Sequence, residues 1–368
     1  MSEYKVFVIN PGSTSTKIGL FEGENCLFSK TVEHDAAVLK GYAAISDQLP
    51  YRRETIAALL AENKIDLSDV DAFVGRGGGL MAMEGGVYRV GDVLLDHARR
   101  GANGVQHPAN LGSQLANEFA AKYGKPAFVV NPPDTDELCD LARVTGIKGV
   151  YRNVHLHALN LKETALRHAA ARGERYEEKN YIVCHIGGGI SISAHQNGRM
   201  IDGTDIVGGE GPMAPTRCGA VPVAELLRYA QGKDPKEVRS LCTRTGGFVS
   251  LLGTADAKEV TRRAANGDKT ARRTWEAMLY QITKSIGAMA AVLHGKVDGI
   301  LLGGGMVHSK ELVDSLTAAC GWIAPVYPYP GEFELEAMAA GAIRVLSGNE
   351  KAKEYTGKPR WSGFEEET

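Results

Sequence analysis

The chain has 368 residues, long for one hydrophobic core, and at roughly 150 residues per domain it predicts two. Its 43% apolar and 23% charged content is that of an ordinary soluble globular protein. With 42 Lys plus Arg against 44 Asp plus Glu, the net charge of −2 excludes a global positive field drawing in nucleic acid or an anionic membrane, while a local basic pocket stays open. Six scattered cysteines without a C-x-x-C pair predict reduced thiols rather than a disulfide or zinc framework. Residues 1–5 run into an apolar strand without a signal-type apolar region, and no apolar run approaches the ~18 residues of a membrane span. A soluble cytoplasmic protein is expected.

In chain order, residues 4–21 (YKVFVINPGSTSTKIGLF) read as a strand, a Gly/Ser/Thr turn and a second strand, with a hairpin signal at Gly23-Glu24. Helical candidates follow at residues 54–63 and 111–123, and residues 70–79 (VDAFVGRGGG) read as a buried strand ending in glycines. A helix is expected at 160–172. Residues 181–194 (YIVCHIGGGISISA) repeat the opening plan, with a hairpin signal at Asn197-Gly198, and residues 297–305 (VDGILLGGG) echo 70–79. Asp268 caps a long amphipathic helix whose apolar face carries Trp275, Met278, Leu279, Ile282, Ile286, Met289 and Leu293, with Gly295 ending it. A last helix at about 334–346 is expected to return to the first domain. Two echoes in the same order predict an internal duplication, with domains 1–148 plus 335–368 and 149–334 and a crossing near residues 146–150. The alternative is two unrelated α/β domains with glycine loops.

A strand–turn–strand of small residues gathers backbone N–H groups around a concavity that suits phosphate oxygens. Asn10, Ser13, Ser15 and Lys17 add polar reach to the first turn, and Ser15 and Lys17 share a face by period-two alternation. A buried or half-buried Lys17 with no acid in the turn calls for an anion. In the second turn, Gly187, Gly188 and Gly189 let a ligand touch backbone. Neither turn is a Walker loop. Together they predict two phosphate loops facing each other across a cleft. Gly303, Gly304 and Gly305 can receive a base or ribose, or form a tight turn before a helix near Ser309. Arg76 stands at a strand end and Arg217 follows a glycine-rich stretch, positions where a buried arginine needs an anion. His155 and His157 form an H-x-H pair that lacks a third metal ligand at useful spacing, so a neutral core histidine competes with a catalytic one. Cys218, beside Arg217, reads as a packing residue rather than an activated thiol. The polar tail 357–368 reads as a solvated terminus, with Trp361 and Phe364 able to dock on a neighbouring subunit.

The segments NPGSTSTK (10–17), GRGGG (75–79), HPANLG (107–112), HALN (157–160), CHIGGGIS (184–191) and EFELE (332–336) resemble the acetate/butyrate kinase family, nearest its butyrate and branched-chain fatty acid kinases. The resemblance covers nearly the whole chain. It implies an α/β fold of two actin-like domains, of the ribonuclease H, sugar kinase and Hsp70 type, with a cleft between them. It also implies reversible phosphoryl transfer between ATP and a short-chain carboxylate, with ATP/ADP and Mg2+ as cofactors and a homodimer or higher oligomer as the assembly. By resemblance, Arg76 and Arg217 flank the carboxylate and the transferring phosphoryl, and His157 donates a hydrogen bond to it. Asn10, Ser13, Ser15 and Lys17 line the phosphate and magnesium end, while His185, Gly187, Gly188 and Gly189 form the second phosphate loop. Asp256, Lys258 and Gly303–Gly305 match the adenosine-contacting stretches. Glu332 or Glu334 resembles the magnesium-associated acid, with Asn10 beside it.

Some positions depart from the family pattern. Asn131 stands where Asp is usual, with Asp134 three residues on, and Lys258 stands where Arg is usual. Gly77, Gly78 and Leu156 replace larger side chains of acetate kinases, and with His107 they are expected to line a roomier acid pocket. Each buried methylene is worth about 0.8 kcal/mol, so selectivity for a butyrate-sized or branched acid over acetate is expected to be graded. Acetate or propionate kinase is the rival within the class, and a non-catalytic ATP-responsive module of the actin/Hsp70 type the rival outside it.

Overall fold

A computed structural model describes residues 3–364, so the end of the predicted tail, 365–368, lies outside the described residues. The chain divides into one unit of residues 1–136 and 333–368 and another of 137–332. The crossing falls at Asp136–Glu137 rather than near 146–150, because residues just past it are tied into the second unit. The Glu137 carboxylate pairs with buried Lys162 at 2.8 Å and accepts the Met200 N–H, and the Cys139 N–H donates to the Ile201 carbonyl.

The first unit carries strands β1 (Lys5–Pro11), β2 (Ser15–Glu22), β3 (Asn25–Glu33), β4 (Ala72–Gly75), β5 (Val87–Arg89), β6 (Ala127–Val130) and β12 (Lys353–Glu354). The second carries β7 (Asn180–Ile186), β8 (Ile190–Gln196), β9 (Arg199–Gly203), β10 (Gly299–Gly304) and β11 (Val326–Pro330). Sheet orders are β12-β5-β6-β4-β1-β2-β3 and β11-β10-β7-β8-β9. Five adjacent strands of the first sheet, β6-β4-β1-β2-β3, therefore match the whole of the second. Both meanders are antiparallel, and β4 and β10 lie parallel to β1 and β7. The expected duplication is a strand-for-strand correspondence. Hairpin β8–β9 turns at Asn197 (φ 50°) and Gly198 (φ 75°), left-handed backbone that these residue types accept with least strain.

Alternation along the central strands sorts side chains between two faces. Ile182, Cys184, Ile186, Ile300 and Leu302 pack with Trp275, Met278, Ile282 and Ile286 of the helix Lys269–Val292, which Asp268 caps through the Thr270 and Ala271 N–H groups. Tyr181, Val183 and Leu301 face the other way, toward Leu161 and Ala165 of the helix Ala158–Ala171. In the first unit, Phe7, Ile9, Ile18 and Phe73 pack with Ile56 and Leu60 of the helix Leu49–Glu62 and Leu115 and Phe119 of the helix Asn110–Tyr123. The helix Glu334–Leu346 returns to this sheet, where a Cβ at Gly341 would lie 2.6 Å from Val130. No helix among the described residues is long and apolar enough to cross a membrane.

Gly75 and Gly112 bring β4 against the helix Asn110–Tyr123 backbone to backbone. A Cβ on Gly75 would lie 2.0 Å from the Gly112 carbonyl oxygen, and one on Gly112 would lie 2.1 Å from the Arg76 carbonyl oxygen. Arg76 is the residue that follows β4, so this contact sets its height on the sheet.

One buried network predicts acid sensitivity. The His195 Nδ1 lies 2.8 Å from the Tyr176 hydroxyl and its Nε2 lies 2.8 Å from the Ser193 hydroxyl, which also donates to the Val183 carbonyl. The chain of donors fits a neutral imidazole protonated on Nε2. Burial, aided by the Lys162 charge and opposed by Glu137, pushes its pKa down to about 3. The unfolded chain takes up the proton first, near pH 6.5, so stability is lost as pH falls from about 6.5 toward 3. Each unit of that window costs the fold about 1.4 kcal/mol at this site. His195→Gln is expected to flatten the fall in urea midpoint below pH 6.5, and an unchanged slope would count against it.

Candidate active site

In the first unit, a cavity of about 270 Å³ is lined by Asn10, Ser15 and Lys17 from the β1–β2 turn, Arg76 from the end of β4, His107, and Glu334 at the start of its helix, with Pro11, Gly12, Ala109 and Pro133 between them. The antiparallel register sets Asn10 opposite Lys17. Ser15 and Lys17 share a face, while Thr16 between them is buried on the other. Lys17 is exposed rather than buried or half-buried as expected, yet lines the cavity, and Ser13 is exposed on the turn without lining it. The Asn10 amide donates to Glu334 Oε2 at 2.7 Å.

Arg76 is buried, and among the described residues its side chain reaches only the Asn131 carbonyl, at a long 3.4 Å. Burial lowers its pKa, and the Glu334 and Asp134 charges partly offset that loss. Asp134 accepts from Asn103 Nδ2 at 2.5 Å. Asn131 sits at φ 38°, which asparagine tolerates, and its Oδ1 accepts the Gly86 N–H at 2.7 Å. That side chain is committed to holding the backbone. His107 Nδ1 accepts the Ala109 N–H at 3.1 Å, which leaves Nε2 to carry the proton. Burial first, then the charges of Arg76 and Arg52, lowers its pKa, so at neutral pH it is an uncharged donor.

Gly77 and Gly78 do not open the acid pocket as expected. A Cβ on Gly77 would lie 2.5 Å from Val129 and 2.7 Å from Pro132, and one on Gly78 would lie 2.7 Å from Asn110. Protein atoms already fill the space a side chain would take. Leu156 is likewise a core residue of the second unit, 3% exposed and packed among Leu138, Val154 and Leu161.

In the second unit, Arg217 lies directly against the Gly187–Gly189 turn between β7 and β8. A Cβ on Gly189 would lie 1.1 Å from Arg217 Nη1, so only glycine admits this guanidinium. The Arg217 backbone is held by paired hydrogen bonds with Ala214, and the Thr216 hydroxyl donates to the Gly188 carbonyl at 3.1 Å. Nε and Nη1 of Arg217 are buried and make no hydrogen bond among the described residues. Burial lowers its pKa, offset in part by the Asp205 charge. Gly188 is open, with no atom within 4 Å of where its Cβ would be. The His157 and His185 rings stack at 4.0 Å between centroids, 21° apart. His157 Nδ1 is 2.8 Å from the Ser191 hydroxyl, and His185 Nε2 is 3.6 Å from Glu332 Oε1. His155 instead approaches Asp205 at 3.7 Å. The H-x-H pair is thus split between two partners, and no cluster of three metal-binding side chains occurs among the described residues.

Asp256 is the N-cap of the helix Ala257–Ala265 and accepts the Lys258 N–H at 2.9 Å; both residues are exposed. Gly304 (φ 97°) ends β10 so close to β7 that a Cβ would lie 2.5 Å from the Ile186 carbonyl oxygen, while Gly305 faces open space. Burial pushes the Cys218 thiol up to about 11, which fits packing better than reactivity. Two features escaped sequence reasoning. Arg152 grips Glu210 through two bonds of 2.9 and 2.8 Å and Asp202 through a third, anchoring the glycine-rich loop that leads to Arg217. Arg52 is fully buried beneath the first turn. Its signal was spacing, since Arg52, Ile56 and Leu60 fall on one helical face.

A duplicated five-strand module defines a two-unit α/β protein of the actin-like class. Crystal structures of that class match it. Acetate kinase from Porphyromonas gingivalis has a TM-score of 0.75 at 20% identity, covering 93% of this chain and 100% of its own. A propionate kinase from Francisella tularensis subsp. tularensis SCHU S4 has a TM-score of 0.70 at 17% identity, covering 92% and 98%. At those identities the likeness concerns the fold. The acetokinase family model matches residues 151–319, and a probable butyrate kinase of Clostridium botulinum (strain Alaska E43 / Type E3) is 45% identical over 354 residues, 96% of this chain and 99% of that protein. The chain belongs to the acetokinase family.

Proposed function

We propose that the protein transfers the γ-phosphoryl group of ATP reversibly to a butyrate-sized linear or branched carboxylate, giving an acyl phosphate and ADP. The observation that carries this reading is a pair of arginines beside glycine-lined segments, Arg76 in the first unit and Arg217 in the second: Arg76 is buried, Arg217 is half-buried with Nε and Nη1 out of water, and among the described residues neither is ion-paired with a carboxylate. A desolvated guanidinium is offset best by an anion. Two such cations suit a reaction whose obstacle is the repulsion of a carboxylate and a triphosphate. A carboxylate oxygen forms the new bond to phosphorus as the bond to the bridging oxygen breaks, and ADP leaves with that electron pair. No general base is needed, because the acceptor is already ionised, so positioning and charge neutralisation carry the catalysis.

In this mechanism Arg76 and Arg217 hold the carboxylate and the transferring phosphoryl, and His157, steadied by Ser191, donates to it. Asn10, Ser13, Ser15 and Lys17 take the phosphate end; His185 and Gly187–Gly189 form the second phosphate loop. Lys258, Asp256 and Gly303–Gly305 stay the proposed adenosine-side residues, with Asp256 acting through its cap. The Glu334 carboxylate, which accepts from Asn10 Nδ2 at 2.7 Å, and the Asn10 amide oxygen offer hard oxygen ligands to a cation that takes the rest from water and phosphate. We therefore assign Mg2+ to Glu334 and Asn10 rather than to Glu332, which approaches His185. Bound there, the ion would neutralise charge on the phosphates. A cytoplasmic homo-oligomer without nucleic-acid or membrane partners completes the reading; the six cysteines are unpaired.

The size of the acid is supported by the 45% identical relative, itself named a probable butyrate kinase, now that Gly77 and Gly78 supply no extra room. Hydroxamate formation with ATP, hydroxylamine and linear or branched acids of two to six carbons tests it. kcat/KM is expected to rise by about fourfold per methylene up to four carbons, following about 0.8 kcal/mol each. A maximum at acetate or propionate would favour the rival kinases, and no product with any acid would overturn the reading in favour of a non-catalytic module.

A further inference from the structure

Arg52 is the fourth residue of the helix Leu49–Glu62, wholly buried, with no carboxylate partner among the described residues. Nε and Nη2 donate to Gln48 Oε1 at 3.1 and 3.0 Å, and Nη1 donates to the Thr16 hydroxyl at 3.0 Å and to the Ser15 carbonyl at 3.3 Å. A buried cation without a counter-charge costs several kcal/mol. A cation in the first turn of a helix also opposes the helix dipole. Neither local helix stability nor core packing accounts for this arginine.

Two of its four hydrogen bonds hold it to Gln48, and the other two reach Ser15 and Thr16, where the β1–β2 turn enters β2. An anion cradle must keep its own carbonyl oxygens away from the anion. The Ser15 carbonyl accepts both the Gly12 N–H at 2.7 Å and Arg52, and the Thr14 carbonyl accepts the His34 N–H at 2.8 Å. Thr16 is pinned between Arg52 and His34 Nε2, the latter at 2.8 Å. Ser15 thus lines the cavity while its carbonyl is engaged by Gly12 and Arg52. We propose that Arg52 is a positioning residue for phosphate binding: it holds the turn's acceptors inward and supplies a fixed positive charge behind the cradle that a bound phosphate group offsets. This rests on the reading of residues 10–17 as a phosphate site. The same charge reaches the neighbouring imidazoles, where burial and then Arg52 push the His34 pKa down to about 4.

The test measures KM for ATP and kcat separately in Arg52→Gln, Arg52→Lys and Lys17→Ala, with NMR titration of His34. Arg52→Gln is expected to raise KM for ATP at least about tenfold, to lower kcat less, and to raise the His34 pKa. Arg52→Lys is expected to recover most of the His34 shift and part of the KM. An unchanged KM in Arg52→Gln, with Lys17→Ala impaired, would overturn the role of Arg52 and leave the phosphate site standing. An unchanged KM in both variants would overturn the phosphate reading and this proposal with it. Should Arg52→Gln fail to fold, Gln48→Met, which removes the acceptor of two Arg52 bonds, decides: a raised KM for ATP supports the proposal and an unchanged one overturns it.

Discussion

Arg217→Ala is expected to lower kcat at least about a thousandfold with the fold intact, as judged by circular dichroism and an unchanged urea midpoint. The magnitude is that of an arginine neutralising charge in a phosphoryl-transfer transition state. The fold should survive because the guanidinium makes no hydrogen bond at Nε or Nη1, so its removal orphans no protein acceptor there. Gly189→Ala provides an independent approach to the same group. Its methyl would fall on Arg217 Nη1, so the arginine must leave its place, and kcat should fall with Arg217 still present. Activity within tenfold of wild type in Arg217→Ala would remove this residue from the mechanism.

Gly112→Ala is expected to destabilise the protein by more than about 3 kcal/mol, beyond ordinary overpacking of a core. The added methyl meets the Arg76 carbonyl oxygen and nitrogen at 2.1 and 2.7 Å, and these backbone atoms have no rotamer into which to retreat. The helix Asn110–Tyr123 and β4 would have to separate, taking Phe119 and Leu115 from the core they share with Phe73. A urea midpoint close to wild type would show that the contact yields. Any folded remainder should be inactive, since Arg76 would move with the strand end.

The opening strand–turn–strand, its echo at residues 181–194 and the two glycine-ended strands were legible because alternation and glycine placement are local properties of a chain. So was the helix over residues 268–294, whose apolar stripe is the buried face found around Trp275 and Ile282. The motif segments carrying Asn10, Ser15 and Lys17, Arg76, and His107 lie far apart in sequence yet line one cavity. What misled was inference about volume. A glycine in place of a larger residue suggests space, but at Gly77 and Gly78 neighbouring atoms of Val129, Pro132 and Asn110 had already closed it.

The amino-acid order by itself determined the duplicated plan, the glycine turns and the family, since all three are written in short-range patterns. Tertiary structure decided which acid stands with Asn10, that Asn131 serves backbone, that Gly189 makes way for Arg217, and that Arg52 lies under the first turn. The reason is physical. Charge, burial and free volume at a point depend on atoms brought there from distant segments, and no spacing along the chain records their arrival.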